Sequence, residues 1–61
     1  MKIKLWIDGD GAAFDETPAS EAARILRDVA NRMERGDSLD WSPLYDFNGN
    51  KCGEITISRS D

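Results

Sequence analysis

Three features of the sequence predict an α+β domain with the order β-α-β-β and a three-stranded antiparallel sheet of order 1-3-2. An amphipathic segment covers residues 17–36, an alternating segment precedes it at Lys2–Asp8, and two short apolar runs flank Asn48-Gly49 after it. A sheet of this kind buries one face against the helix and leaves the other face open. With 61 residues, the whole chain, 1–61, is expected to form a single small domain.

The first strand is predicted over Lys2–Asp8 because its side chains alternate between apolar and polar. One face carries Ile3, Leu5 and Ile7, and the other carries Lys4 and Trp6. We expect the aliphatic face to meet the helix.

The helix is bounded by residues that favour a start and a stop. Thr17 can cap the first turn, Pro18 suits the first helical position, and Gly36 can adopt the left-handed conformation that ends a helix. The predicted inward half consists of Ala19, Ala22, Ala23, Ile25, Leu26, Val29, Ala30 and Met33. The predicted outward half consists of Ser20, Glu21, Arg24, Arg27, Asp28, Asn31, Arg32, Glu34 and Arg35. This division places no polar side chain on the buried side, so we expect the helix to be a scaffold.

The second and third strands are predicted over Leu44–Phe47 and Cys52–Ser58 as a hairpin around Asn48-Gly49. A two-residue turn of Asn48-Gly49 and a three-residue turn of Asn48-Gly49-Asn50 with a bulge would send opposite side chains toward the core, so the register stays open. In either register Ile55 and Ile57 share a face, and we assign them to the core beside the first strand and under Leu26, Val29 and Met33.

The open face of the sheet is the first candidate for binding. Trp6 is expected there, and one hairpin register adds Tyr45 and Phe47. Exposed apolar patches in soluble domains mark interfaces, and tryptophan and tyrosine often anchor them. The alternative is that residues 37–43, with Trp41, fold over this face and complete a second small core.

An acidic loop before the helix is the second candidate. Asp8, Asp10, Asp15 and Glu16 fall in a stretch without a basic residue. The helix dipole alone accounts for acids at this place, and a binding role for them is the competing interpretation. An EF-hand beginning at Asp8 would lack its glycine and its final glutamate, so no metal site is predicted.

Basic residues on the predicted outer face of the helix form a secondary candidate interface. Arg24, Arg27 and Arg35 share a narrow arc at about 100° per residue. A solvated face with exposed pairs such as Asp28 with Arg32 is the preferred interpretation.

Composition argues against several classes of function. The chain has no histidine and one cysteine, Cys52, and no serine has a base in a recognisable spacing, so neither catalysis nor a cofactor is predicted. The net charge of −4 argues against direct nucleic-acid binding on electrostatic grounds, and no apolar run is long enough for a membrane span. We expect a cytoplasmic protein, because the single cysteine cannot form an internal disulfide. We expect its partner to be another protein, or a second copy in a homodimer, because so small a core needs support.

Several motifs occur in the order found in a group of small phage and prophage proteins of unknown function. They are AAF at Ala12–Phe14, ARILRD at Ala23–Asp28 and a DxNGNxxG hairpin around Asn48–Asn50. The chain resembles that group over most of its length, although the segment Ser38–Pro43 departs from the pattern. The resemblance implies a mobile-element origin and brings no catalytic residues.

Two functions follow from these expectations. In the first, the chain is a non-enzymatic module that binds another protein and, by analogy with other small acidic phage proteins, inhibits host machinery such as a CRISPR or other defence complex. In the second, it is a self-associating accessory protein without an inhibitory target.

Overall fold

The computed structural model describes residues 1–36 and 40–58. Within them the chain forms strand β1 (Lys2–Ile7), a 3-10 helix (Ala12–Phe14), helix α1 (Pro18–Glu34), strand β2 (Trp41–Tyr45) and strand β3 (Lys51–Ser58). Both β1 and β2 pair antiparallel with β3, giving the order β1-β3-β2. The predicted fold class is therefore confirmed.

The ends of α1 follow the sequence signals with one difference. Pro18 opens the helix, and Gly36 follows it with a φ of +82° and donates its N–H to the carbonyl of Met33. Thr17 makes no capping hydrogen bond with its side chain, and its carbonyl accepts the N–H of Glu21 at 3.0 Å, which is the ordinary first bond of an α-helix. The prediction of a side-chain cap at Thr17 was wrong, because its φ of −135° and ψ of 67° lie outside the extended conformation usual for an N-cap residue.

Two hydrogen bonds fix which backbone groups point into the sheet. Asp8 donates its N–H to the carbonyl of Cys52, and Ile57 donates its N–H to the carbonyl of Asp40. In an antiparallel ladder the hydrogen-bonding direction alternates along each strand. The backbone N–H and C=O groups of the even-numbered residues of β1 therefore point toward β3, and those of its odd-numbered residues point toward the free edge.

Strand β2 begins at Trp41, three residues before the predicted start at Leu44. Pro43 was expected in a loop, but proline fits an edge strand when its missing N–H lies on the unpaired side. Because the carbonyl of Asp40 points toward β3, the backbone nitrogen of Pro43, three residues later, points toward the unpaired side. Pro43 lies opposite Glu54 in the ladder.

The hairpin has a three-residue turn, Phe47-Asn48-Gly49, and matches neither of the two turns considered from the sequence, because Asp46 donates its N–H to the carbonyl of Asn50. Tyr45 pairs with Lys51, Gly49 has a φ of +84°, and the register shifts between Leu44 and Tyr45. Cys52 is the extra residue that this shift leaves on β3. The bulge turns both Cys52 and its neighbour Gly53 toward the buried side.

The core contains Ile55 and Ile57 as predicted, and Leu5 and Ile7 are partly buried against it. Its fully buried apolar members are Ala13, Phe14, Ile25, Val29, Leu44, Cys52, Ile55 and Ile57. Ile3, Leu26 and Met33 were expected in the core, but all three are substantially exposed.

The exposure of Leu26 and Met33 reflects the rotation of α1 about its axis. The helix buries Glu21, Ile25 and Val29. Ile25 lies at the centre of this buried face, whereas Met33 lies at the centre of the predicted apolar half. At about 100° per residue, the two positions are roughly 80° apart around the helix axis. The prediction that no polar side chain of the helix is buried was therefore wrong, because Glu21 occupies part of the buried face.

Candidate protein-binding surface

Three aromatic side chains lie on the open face of the sheet. Trp6, Trp41 and Tyr45 are 51%, 54% and 52% exposed, and each occupies an outward position of its strand. Trp6 and Trp41 lie on opposite sides of β3, since Trp6 pairs with Glu54 and Trp41 with the adjacent outward residue, Thr56. The predicted placement of Trp6 and Tyr45 on this face agrees with the strand alternation, and Trp41 joins them instead of covering them.

Polar contacts hold the Trp41 ring in place. Its Nε1 donates to Oε2 of Glu54 at 2.5 Å, and Nζ of Lys51 lies 5.8 Å from the ring centroid. The same Lys51 ammonium is 3.7 Å from Oε1 of Glu54. These contacts restrict the ring before any partner binds, which lowers the entropy that binding must overcome.

A cleft of about 450 Å³ adjoins this face and is lined by Trp6, Asp8, Asp10, Gly11, Asp46, Asn50, Lys51 and Cys52. It brings together three residues that the sequence predicted for binding: Trp6, Asp8 and Asp10. Asp46 was not predicted and adds a third carboxylate. The cleft therefore combines an aromatic wall with several acids and one ammonium group.

Local hydrogen bonds shape the walls of the cleft. Oδ1 of Asp8 accepts the N–H of Asp10 at 3.0 Å, which bends the chain after β1. Oδ1 of Asp46 accepts the N–H groups of Asn48 and Asn50, each at 3.0 Å, and so holds the hairpin turn. The chain of Gly11 passes close to Asp46, because a Cβ at Gly11 would lie 3.4 Å from Oδ2 of Asp46.

The remaining predicted acids and Phe47 lie elsewhere. Asp15 and Glu16 are exposed between the 3-10 helix and α1, and they do not line the cleft. Phe47 lies in the hairpin turn beyond the end of β2, and its N–H is bound by Glu21 of the helix. Strand alternation therefore does not place the exposed Phe47 ring with the three aromatic residues of the open face.

Glu21 and Arg24 join the helix to the hairpin. Nε of Arg24 donates to Oε1 of Glu21 at 2.8 Å, and Nη2 donates to Oε2 at 3.0 Å. Oε2 also accepts the N–H of Phe47 at 2.8 Å, and Nη2 of Arg24 reaches the carbonyl of Tyr45 at 3.3 Å. The Arg24 hydrogen bond holds the pKa of the Glu21 carboxyl below its usual range, against the opposing effect of burial and with help from the Phe47 N–H.

The secondary candidate interface on the helix is divided in the structure. Arg24 is held by Glu21 and the hairpin, whereas Arg27 and Arg35 are exposed. The predicted pair of Asp28 with Arg32 is present at 3.8 Å. Because Arg24 serves the fold, an interface on this side would depend on Arg27 and Arg35.

Sequence reasoning missed Trp41 and Asp46 as members of the candidate binding surface. The spacing of Trp41, Pro43 and Tyr45 is the two-residue period of one strand face, and this signal was available. Asp46 carried no comparable signal, since an aspartate before Asn48-Gly49 is explained by the turn alone.

Comparison with protein-family models, curated protein sequences and solved structures gives no match for this chain. Among residues 1–36 and 40–58, no helix has both the length and the apolar character needed to cross a bilayer. In the same residues, no group of three or more carboxylates or thiols has an arrangement that could hold a metal ion.

Proposed function

We propose that the protein is a non-enzymatic module that binds another protein through its open sheet face and the adjoining acidic cleft. The observation that carries this proposal is the half-exposed state of Trp6, Trp41 and Tyr45 on one face. Aromatic side chains of this kind supply much of the binding energy at protein interfaces. Exposing three of them to water in so small a domain is unfavourable unless a partner covers them.

The cleft indicates the chemistry of that partner. Carboxylates of Asp8, Asp10 and Asp46 lie around a cleft that also has the Trp6 ring in its wall. An arginine or lysine side chain can pair with a carboxylate and stack on an indole ring at the same time. We therefore propose that the partner presents a basic segment to a chain whose own net charge is −4.

The resemblance to small phage proteins supports a more specific proposal, in which binding inhibits a host defence complex such as a CRISPR effector. Such complexes hold nucleic acid in basic channels, which fit an acidic and aromatic surface. The alternative of an accessory protein without a foreign target predicts that the surface captures nothing beyond copies of itself.

Capture from lysate tests the proposal. Immobilised wild-type protein should retain a partner that salt releases, while Trp41→Ser and Asp10→Asn should retain about tenfold less, since each removes one anchor of the surface. Arg27→Ser is the matched control, because Arg27 is exposed on the helix, away from the sheet face. Equal capture by all variants, or capture of no protein other than this chain, would contradict the proposal.

A further inference from the structure

The two edges of the sheet differ in their ability to accept another strand. Along β2, the edge-facing positions include Pro43, which has no N–H to donate. Along β1, the N–H and C=O groups of Ile3, Leu5 and Ile7 face the free edge. Within the described sheet, an additional strand can therefore pair regularly with β1 and not with β2.

Apolar surface left exposed by the helix lies on the side of β1. Arg24 and Arg32 both donate hydrogen bonds to β2, so that side of α1 faces β2. At about 100° per residue, Leu26 and Met33 lie on the opposite side of the helix. Leu26 is 47% exposed, and Ile3 on the inner face of β1 is 46% exposed. An element added beside β1 would extend the sheet toward this surface.

We propose that a second copy of this chain binds at the free edge of β1, through antiparallel pairing of the two β1 strands about a two-fold axis beside Leu5. Each Leu5 then exchanges both backbone hydrogen bonds with Leu5 of the second copy, and Ile3 does so with Ile7. The residues that make these bonds are those whose backbone groups already face the edge.

Charge complementarity selects this register. It places Lys2 opposite Asp8 of the second copy, and Lys4 opposite Trp6 of the second copy, all on the open face. These are the positions without mutual hydrogen bonds, where the Cα atoms of an antiparallel pair approach to about 4.5 Å. Ammonium groups thus meet a carboxylate and an indole ring, and both contacts occur twice because of the symmetry.

Other registers are less favourable. An axis beside Lys4 would set two ammonium groups opposite each other. An axis beside Trp6 would pair only the last part of each strand, from Leu5 to Ile7. The axis beside Leu5 gives the longer overlap and avoids like charges, and it brings the aliphatic inner faces of both β1 strands into one row.

Sedimentation equilibrium with charge variants tests the pairing and its register. Wild-type protein should form a species of twice the 6.8 kDa chain mass. Lys2→Glu and Asp8→Lys should each raise the dimer dissociation constant about tenfold, since each creates two like-charge contacts. The double variant Lys2→Glu with Asp8→Lys should recover the wild-type value. A monomeric wild type, or a double variant weaker than both single variants, would overturn the proposal.

A proline variant tests the edge separately from charge. Ile3→Pro removes an N–H that faces the free edge of β1, so it should abolish the dimer while circular dichroism still reports a folded domain. Ile3→Val is the matched control, because it keeps both the N–H and a β-branched aliphatic side chain at the same position and should leave the dimer intact. If Ile3→Pro dimerises as wild type does, or if Ile3→Val also abolishes the dimer while folded, pairing at the edge of β1 is not the interface. The charge variants decide the matter if a proline variant does not fold.

Discussion

The carboxylate of Glu21 accepts the backbone N–H of Phe47 at 2.8 Å, although 26 positions separate the two residues in the chain. This hydrogen bond ties the first turns of α1 to the hairpin turn. Arg24 completes the connection by binding both oxygens of Glu21 and the carbonyl of Tyr45. A side chain predicted to face water is thus a main link between helix and sheet.

Replacing Glu21 should destabilise the domain more than replacing an exposed glutamate of the same helix. Glu21→Ala leaves the Phe47 N–H and the Arg24 guanidinium without their acceptor, and we expect the melting temperature to fall by on the order of 5–10 °C. Glu34→Ala, on the exposed last turn of the same helix, should change it by about 1 °C or less. Thermal unfolding followed by circular dichroism measures both, and equal effects would show that the Glu21 contacts do not stabilise the fold.

The same carboxylate predicts a pH dependence of stability. Because hydrogen bonding to Arg24 lowers the pKa of Glu21 in the folded state, its contribution is present above the ordinary value of 4.5 and is lost as pH falls through the folded-state pKa. The free energy of unfolding measured in urea should therefore fall more on acidification for wild type than for Glu21→Gln. Parallel curves for the two proteins from pH 6 down to about pH 2 would contradict this assignment.

Gly53 should not tolerate a side chain. Opposite Ile7 in the ladder, a Cβ at this position would overlap the carbonyl oxygen of Trp6 and lie 3.0 Å from Cα of Ile7. We expect Gly53→Ala to cost about 3 kcal/mol or more, which is enough to unfold a domain of this size. Gly36→Ala has open space around it and a φ of +82°, so its cost should stay near 1 kcal/mol. Denaturant titration compares them, and a folded Gly53→Ala of wild-type stability would contradict the close approach of β1 and β3.

Cys52 should react slowly in the folded protein. Burial raises the pKa of its thiol, and the neighbouring carboxylates of Asp46 and Glu21 raise it further. Since the thiolate is the reactive form, we expect alkylation in native buffer to be at least about a hundredfold slower than in denaturant. Mass spectrometry of timed reactions gives the two rates, and similar rates would place the thiol at the surface.

The strands and their order were predictable because their signals are local. Asn48-Gly49 located the hairpin, and the positions of Ile55 and Ile57 assigned the inner face of β3. The rotation of α1 was not predictable from its apolar residues, because the buried face includes Glu21, whose partner Phe47 lies 26 positions away in the chain. No pattern within the helix distinguishes a glutamate with a distant partner from a solvated one.

The candidate binding surface was predictable in part for the same reason. Trp6, Asp8 and Asp10 follow one another at the end of β1, so the sequence already placed them together. Trp41 depended on how far β2 extends past Pro43, and Asp46 on the course of the chain at Gly11. The Asp46 relationship is tertiary and becomes visible once the chain is folded, whereas the two-residue spacing of Trp41, Pro43 and Tyr45 is a local signal of the strand.

We propose above all that the open face and its cleft bind another protein. The most direct measurement is isothermal titration of the purified captured partner with wild type, Trp6→Ser, Asp10→Asn and Arg27→Ser. We predict dissociation constants raised about tenfold or more for Trp6→Ser and Asp10→Asn, and unchanged for Arg27→Ser. Affinity lost with Arg27→Ser but retained in the other two variants would contradict the claim and move the interface to the helix.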